Sequence, residues 1–178
     1  QFRLSQWNFA MDDAQKNVVQ SFLQSPENGR HLLVFGAKGC GKTSLAVAIA
    51  TELSFQHYPC TYTTGIKLYS RFFEIRREEA DVNGLLWDWW SCRTLVIDDI
   101  NPGQPVKQDL VSPADFLRFV DNYESNPLNR HALKNANVIW VLGSEAQTTN
   151  TLDGWKDMLQ TIGVPPENIF ALHLSGQS

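Results

Sequence analysis

Long hydrophobic runs, an excess of basic residues and paired cysteines are all missing from this 178-residue sequence. Because no apolar stretch approaches the ~18 residues of a membrane-spanning helix, we expect no direct membrane insertion of this segment. The formal net charge of -4 argues against a strongly basic nucleic-acid clamp, although it leaves a local basic patch open. The three cysteines, Cys40, Cys60 and Cys92, lack a paired spacing. They therefore favour a reducing setting, either a cytoplasmic protein or a cytoplasmic domain of a larger one.

The sequence does have the composition of a folded domain, with 43% hydrophobic and 19% charged residues. Short apolar runs alternate with amphipathic stretches, which is typical of an α/β fold with a parallel sheet. The predicted strands are His31–Phe35, Cys60–Thr63, Thr94–Asp98, Val138–Leu142 and Ile169–Leu174. The predicted helices are Met11–Gln24, Thr43–Leu53, Ile66–Glu79, Thr151–Thr161 and one that Ser112 caps and Pro113 opens.

A glycine-rich segment follows the first predicted strand and fits the pattern G-x-x-x-x-G-K-[ST] at every fixed position. Glycines allow consecutive backbone N–H groups to turn inward, and the helix that follows adds its positive N-terminal end, so such a loop binds phosphates. We expect Lys42 to reach the β- and γ-phosphates and the Thr43 hydroxyl to ligate Mg²⁺. The residues assigned to phosphate binding are Gly36, Ala37, Lys38, Gly39, Cys40, Gly41, Lys42, Thr43 and Ser44.

A second element is the apolar strand Thr94–Asp98, which ends in the acidic pair Asp98 and Asp99. In a parallel sheet this places the carboxylates at the same edge as the glycine-rich loop. We expect Asp98 to hold the Mg²⁺ shell and Asp99 to polarise an attacking water. An acidic pair alone often does no more than end a strand. Because this pair follows a phosphate loop in the sequence, a role in metal binding and catalysis is the favoured interpretation.

With these two motifs the sequence resembles the AAA+ P-loop ATPases, especially bacterial replication initiators, helicase loaders and transposon-borne ATP-binding relatives. The resemblance implies a three-layer sandwich with a five-stranded parallel sheet in the order 5-1-4-3-2, and a Mg²⁺-ATP site. We therefore expect one AAA+-like domain over residues 1–178, with a linker and first helix at 1–25 and the P-loop core at 31–174. The expected function is ATP binding and hydrolysis that couples nucleotide state to a protein partner or a homo-oligomer.

Two further assignments come from the resemblance alone. Ser144, after the fourth predicted strand, matches the first sensor, which would contact the γ-phosphate or the lytic water; the alternative is a turn residue. The segment Trp7, Asn8, Phe9 and Ala10 lies where the family's N-terminal linker packs on adenine, and we assign Phe9 to that contact. An N-terminal aromatic is equally consistent with plain core packing.

The sequence departs from the family pattern in two places. No arginine follows Arg130, so the family's arginine finger has no counterpart near the fifth strand, and Lys156 cannot reproduce the planar guanidinium. Only 34 residues follow Ser144, too few for the family's helical lid. We therefore expect slow turnover by the isolated domain, and a scaffold module that binds ATP without hydrolysing it is the alternative. A small-molecule kinase is disfavoured because no arginine-rich lid follows.

The tryptophans of the segment 86–90, together with Trp140 and Trp155, fit either core packing or an exposed docking or base-stacking platform, and helical spacing favours the core. Arg71, Arg76 and Arg77 could contact DNA phosphates. They lie among glutamates, so a solvated face with local ion pairs is the favoured interpretation.

Overall fold

The computed structural model describes residues 4–6, 11–25, 28–56, 58–72, 89–100, 111–121, 126–143 and 149–175. Five parallel strands form one sheet, in the spatial order β2-β3-β4-β1-β5. The strands are β1 (His31–Gly36), β2 (Cys60–Thr64), β3 (Thr94–Asp98), β4 (Asn137–Val141) and β5 (Ile169–Leu174). This order is the one that the resemblance implies, read from the opposite edge, so the fold prediction is confirmed.

Six helices connect the strands within the described ranges. They are α1 (Asp13–Gln24), α2 (Lys42–Phe55), α3 (Gly65–Phe72), α4 (Pro113–Val120), α5 (Asn126–Asn135) and α6 (Thr149–Thr161). The expected extension of α3 over 73–79 lies outside the described residues. Helix α5 was not predicted. After β4, the described chain holds α6, a short 3-10 turn and β5, and no helical lid.

The sequence itself explains where two of these helices begin. In α1 the Asp12 carboxylate accepts a hydrogen bond from the Gln15 backbone N–H, at 2.7 Å, and the Gln15 side chain accepts one from the Asp12 N–H, at 2.9 Å. Ser112 and Asp115 form the same reciprocal arrangement at α4, where Pro113 opens the helix. Each pair satisfies N–H groups that have no partner within the helix.

The hydrophobic core lies on both faces of the sheet, which makes a three-layer sandwich. Alternate strand residues point to opposite faces, so Leu32 and Val34 of β1 pack towards α1 and α2 while Leu33 packs towards α3, α4 and α6. Trp89, Trp140 and Trp155 are buried, which confirms core packing for these three. Trp87 lies outside the described residues, as do Arg76 and Arg77 of the arginine cluster.

Candidate functional site

The glycine-rich loop joins the C-terminal end of β1 to the first residue of α2. Gly39 and Gly41 have φ angles of +83° and +88°, in the left-handed region that residues with a Cβ rarely adopt. These angles turn the chain tightly, so that it enters α2 with the helix N-terminus facing the curve of the loop. The exposed backbone of Ala37, Lys38 and Gly39 and the free N–H groups of the first turn of α2 make this curve a suitable binding place for an anion.

Lys42 folds back over this loop. Its ammonium group donates hydrogen bonds to the carbonyl oxygens of Gly36 and Ala37, at 2.7 and 2.8 Å. The Cys40 sulfur, which is buried under the loop, lies 3.9 Å from the same nitrogen. The positive charge of Lys42 is therefore held at the mouth of the loop and does not extend into solvent. A phosphate that enters the loop would meet the charge there.

Thr43 and Asp98 come together from opposite parts of the sequence. The Thr43 hydroxyl donates to Oδ1 of Asp98 across 3.3 Å, although 55 positions separate the two residues. Thr43 lies in the first turn of α2, and Asp98 is the last residue of β3. Asp98 is largely buried, with 7% of its surface exposed, whereas Thr43 and the neighbouring Ser44 are exposed.

The Asp98 carboxylate is held by two further donors. The backbone N–H of Asp99 donates to Oδ1 at 2.8 Å, and the phenol of Tyr62 donates to Oδ2 at 2.7 Å. Tyr62 belongs to β2, and sequence reasoning missed it because nothing in its own neighbourhood marks it. Only the pairing of β2 with β3 brings it to Asp98.

The two carboxylates of the acidic pair have different surroundings. Asp99 is exposed and its φ of +49° places it in the left-handed region, so its backbone turns sharply out of β3.

Burial, the hydrogen bond to Asp98 and the negative charges of Asp98 and Asp99 raise the pKa of Tyr62 to about 12. The phenol is therefore protonated at neutral pH and acts as a hydrogen-bond donor.

Two predicted site residues, Phe9 and Ser144, lie outside the described residues, together with Trp7, Asn8 and Ala10. The other predicted residues, from Gly36 to Ser44 with Asp98 and Asp99, all lie at the carboxyl edge of the sheet.

The donor chemistry at this edge fits Mg²⁺. Thr43 and Asp98 offer a hydroxyl and a carboxylate oxygen, the hard donors that Mg²⁺ takes alongside phosphate oxygens and water. Within the described ranges, no three His, Cys, Asp or Glu side chains gather as they would in an all-protein metal cage. Such a cage is not required, because Mg²⁺ with a nucleotide uses only one or two protein ligands.

The order of the sheet and the glycine-rich loop define the class of this fold: it is a P-loop NTPase core. The family model of the TIP49 P-loop domain matches residues 12–85, which include the whole glycine-rich loop. The resemblance inferred from the two sequence motifs is thereby confirmed at the level of the class.

Solved structures with the same fold include two forms of a replication initiator. DnaA bound to AMPPCP and single-stranded DNA superposes with a TM-score of 0.55 at 13% identity, covering 97% of this chain and 49% of that one. AMPPCP-bound DnaA from Aquifex aeolicus gives 0.52 at 17% identity, covering 96% and 50%. This chain thus spans about half the length of the DnaA chains that it matches.

The DnaC helicase loader gives a TM-score of 0.57 at 18% identity, with 99% of this chain and 97% of that chain covered. At these identities the similarity is one of fold. In the part of the chain that the structure describes, no helix has the length and apolarity to cross a membrane.

Proposed function

We propose that this domain binds Mg²⁺-ATP at the glycine-rich loop and hydrolyses it slowly. The observation that carries the proposal is the hydrogen bond between Thr43 and Asp98. Because it joins the end of the phosphate loop to the acidic end of β3, a hydroxyl and a carboxylate already share one location next to the α2 N-terminus. A glycine turn with an incidental lysine would not require this second element.

In the proposed site the loop N–H groups and Lys42 bind the phosphates. Lys42 would exchange its bonds to the Gly36 and Ala37 carbonyls for bonds to phosphate oxygens, which requires only a side-chain rotation. Thr43 and Asp98 would hold Mg²⁺, which when bound neutralises charge on the phosphates. The preference for ATP over GTP and the contact of Phe9 with adenine rest on the AAA+ resemblance.

Asp99 would orient the attacking water, and Ser144 would sense the γ-phosphate. The exposed position of Asp99 beside the buried Asp98 supports this division of roles, because one carboxylate is fixed by donors while the other faces solvent. By ordering the chain around the γ-phosphate, the bound nucleotide would couple to a protein partner or to a second copy of the domain.

A scaffold module that binds ATP without turning it over is the second candidate, and one observation favours it. Arg130, the last arginine in the sequence, has its guanidinium bound to both oxygens of Asp121, at 2.6 Å each. This guanidinium joins α5 to the end of α4, so it is not available to act as an arginine finger. Because an arginine finger is worth roughly 10³–10⁵ in rate where it is used, its loss favours binding without turnover.

Occupancy and turnover separate the two candidates. We would measure equilibrium binding of ATP with Mg²⁺, and steady-state hydrolysis across a range of protein concentrations, with Lys42→Ala as the blank. We expect Lys42→Ala to lower nucleotide affinity by at least roughly 10-fold, since it loses hydrogen bonds to a charged ligand. Turnover that rises more than linearly with protein concentration indicates sites completed between subunits.

Binding without turnover above the blank, in protein shown to be folded, would replace the ATPase proposal with the scaffold. Absence of any nucleotide binding by the wild-type protein would overturn both candidates.

A further inference from the structure

Both oxygens of the Asp98 carboxylate accept hydrogen bonds, and the donors to the two oxygens come from different parts of the fold. Oδ1 accepts from the Asp99 backbone at 2.8 Å and from Thr43 at 3.3 Å, which are groups of β3 and the phosphate loop. Oδ2 accepts from the Tyr62 phenol at 2.7 Å, and Tyr62 belongs to neither motif. The donors on Oδ1 already restrict rotation about the Cβ–Cγ bond, and the Tyr62 bond holds the second oxygen as well, so both ends of the carboxylate are fixed.

The position of Tyr62 follows from the sheet. It lies on the edge strand β2, opposite Val96, and Thr64 of the same strand lies opposite Asp98. Since side chains alternate along a strand, Tyr62 shares the α2 face with Val96 and Asp98. The residue lines a groove of about 200 Å³ beside Val47 and Thr51 of α2 and is 52% exposed, so packing supports it on one side and the hydroxyl bond to Asp98 holds it in place.

We propose that Tyr62 is a positioning residue for the metal, whose hydrogen bond to Oδ2 keeps Oδ1 of Asp98 directed at Thr43 and the phosphate loop. This inference rests on the proposed function. Mg²⁺ demands near-ideal octahedral geometry, so a carboxylate that must first be oriented binds it less tightly than one already held in place. Because the Thr43 hydroxyl donates its proton to Oδ1 of Asp98, the lone pairs of the Thr43 oxygen remain available to the cation.

The test is the metal affinity of the nucleotide complex. Tyr62→Phe removes the hydroxyl and keeps the ring against α2. We would titrate Mn²⁺ into the protein with bound mant-ATP, following free Mn²⁺ by electron paramagnetic resonance, and measure mant-ATP affinity separately in EDTA by fluorescence. Tyr58→Phe is the matched control, because it removes a phenol hydroxyl just before the same strand, away from Asp98.

We expect Tyr62→Phe to weaken Mn²⁺ binding roughly 10-fold, as loss of a hydrogen bond to a charged group predicts, with metal-free mant-ATP affinity unchanged. Tyr58→Phe should match the wild type in Mn²⁺ affinity. Unchanged or tighter Mn²⁺ binding by Tyr62→Phe would overturn the inference, as would an equal loss of mant-ATP affinity in EDTA. If the wild type binds no mant-ATP under either condition, the proposed function fails, and this inference fails with it.

Discussion

Asp99 combines an exposed carboxylate with a backbone conformation that few side chains tolerate. Its φ of +49° is one that Asn and Asp adopt more readily than other residues with a Cβ. Asp99→Asn therefore keeps the turn and removes the charge that would orient water. We expect it to lower ATP turnover by about 100-fold or more, with nucleotide occupancy unchanged. The measurement is steady-state hydrolysis beside an equilibrium binding isotherm for the same preparation.

Asp153→Asn, at an exposed position on α6, supplies the charge-matched control for this prediction. Full turnover by Asp99→Asn would remove Asp99 from the proposed mechanism. A parallel loss of occupancy would show instead that Asp99 contributes to binding.

Local spacing made the residues of the phosphate loop and the acidic pair predictable, because each motif lies within eight or fewer consecutive positions. The meeting of Thr43 with Asp98 was predictable from the rule that parallel strands bring their carboxyl ends to one edge. Tyr62 was not predictable by either route. Its contact depends on the register between β2 and β3 and on the rotamer of one side chain, which no local pattern records.

At the scale of elements, α3 packs directly against the chain that leaves β3. A Cβ added to Gly65, the first residue of α3, would lie 2.8 Å from Ile100 Cα and 3.0 Å from the Asp99 carbonyl oxygen. One turn further on, the Tyr69 phenol donates to the Ile100 carbonyl at 2.6 Å. Burial and the negative charge of Asp99 raise the pKa of Tyr69, so it remains a donor at neutral pH.

We expect Gly65→Ala to lower the free energy of unfolding by about 1–3 kcal/mol, because the atoms that it meets are backbone and cannot move aside cheaply. Tyr69→Phe, which removes only the hydrogen bond, should cost about 1 kcal/mol. Urea unfolding of both variants measures the two costs. A Gly65→Ala protein as stable as the wild type would contradict the close packing of α3 on the Asp99–Ile100 backbone.

The helices and strands differ in how readily their sequences predict them. The strands were predictable because β1, β3 and β4 are buried at every position and are therefore mostly apolar, with their polar residues at the strand ends. Helix α5 was missed because its sequence is mostly polar: among its described side chains the hydrophobic core includes only Ala132 and Leu133, and the buried Asn129 is polar. Pro127, near its first residue, was the signal that could have found it, since proline favours the first turn of a helix.

At the scale of the whole molecule, the centre of the sheet contains a buried titratable group. His31 opens β1, between β4 and β5, and is fully buried. Its Nδ1 accepts a hydrogen bond from the Trp140 indole N–H at 3.1 Å, which requires that nitrogen to be unprotonated. Burial lowers the pKa of His31 from 6.5 to about 4, against the smaller opposing effect of the nearby Lys134 and Leu133 backbone.

This shift predicts a loss of stability in mild acid. Between pH 6.5 and about 4 the unfolded chain binds a proton at His31 and the folded protein does not, so the free energy of unfolding falls as the pH falls. Across that window His31 alone should remove about 3 kcal/mol. Urea unfolding at a series of pH values, for the wild type and for His31→Gln, measures the effect.

His31→Gln is suited to this comparison because its amide oxygen can still accept from Trp140, while the side chain does not titrate. The variant should therefore lose less stability than the wild type over the same pH range, whatever its stability at pH 7. His131→Gln, at an exposed position on α5, is the matched control and should follow the wild-type slope. Equal slopes for the wild type and His31→Gln would mean that acid lability comes from the carboxylates at the surface and the site rather than from the centre of the sheet.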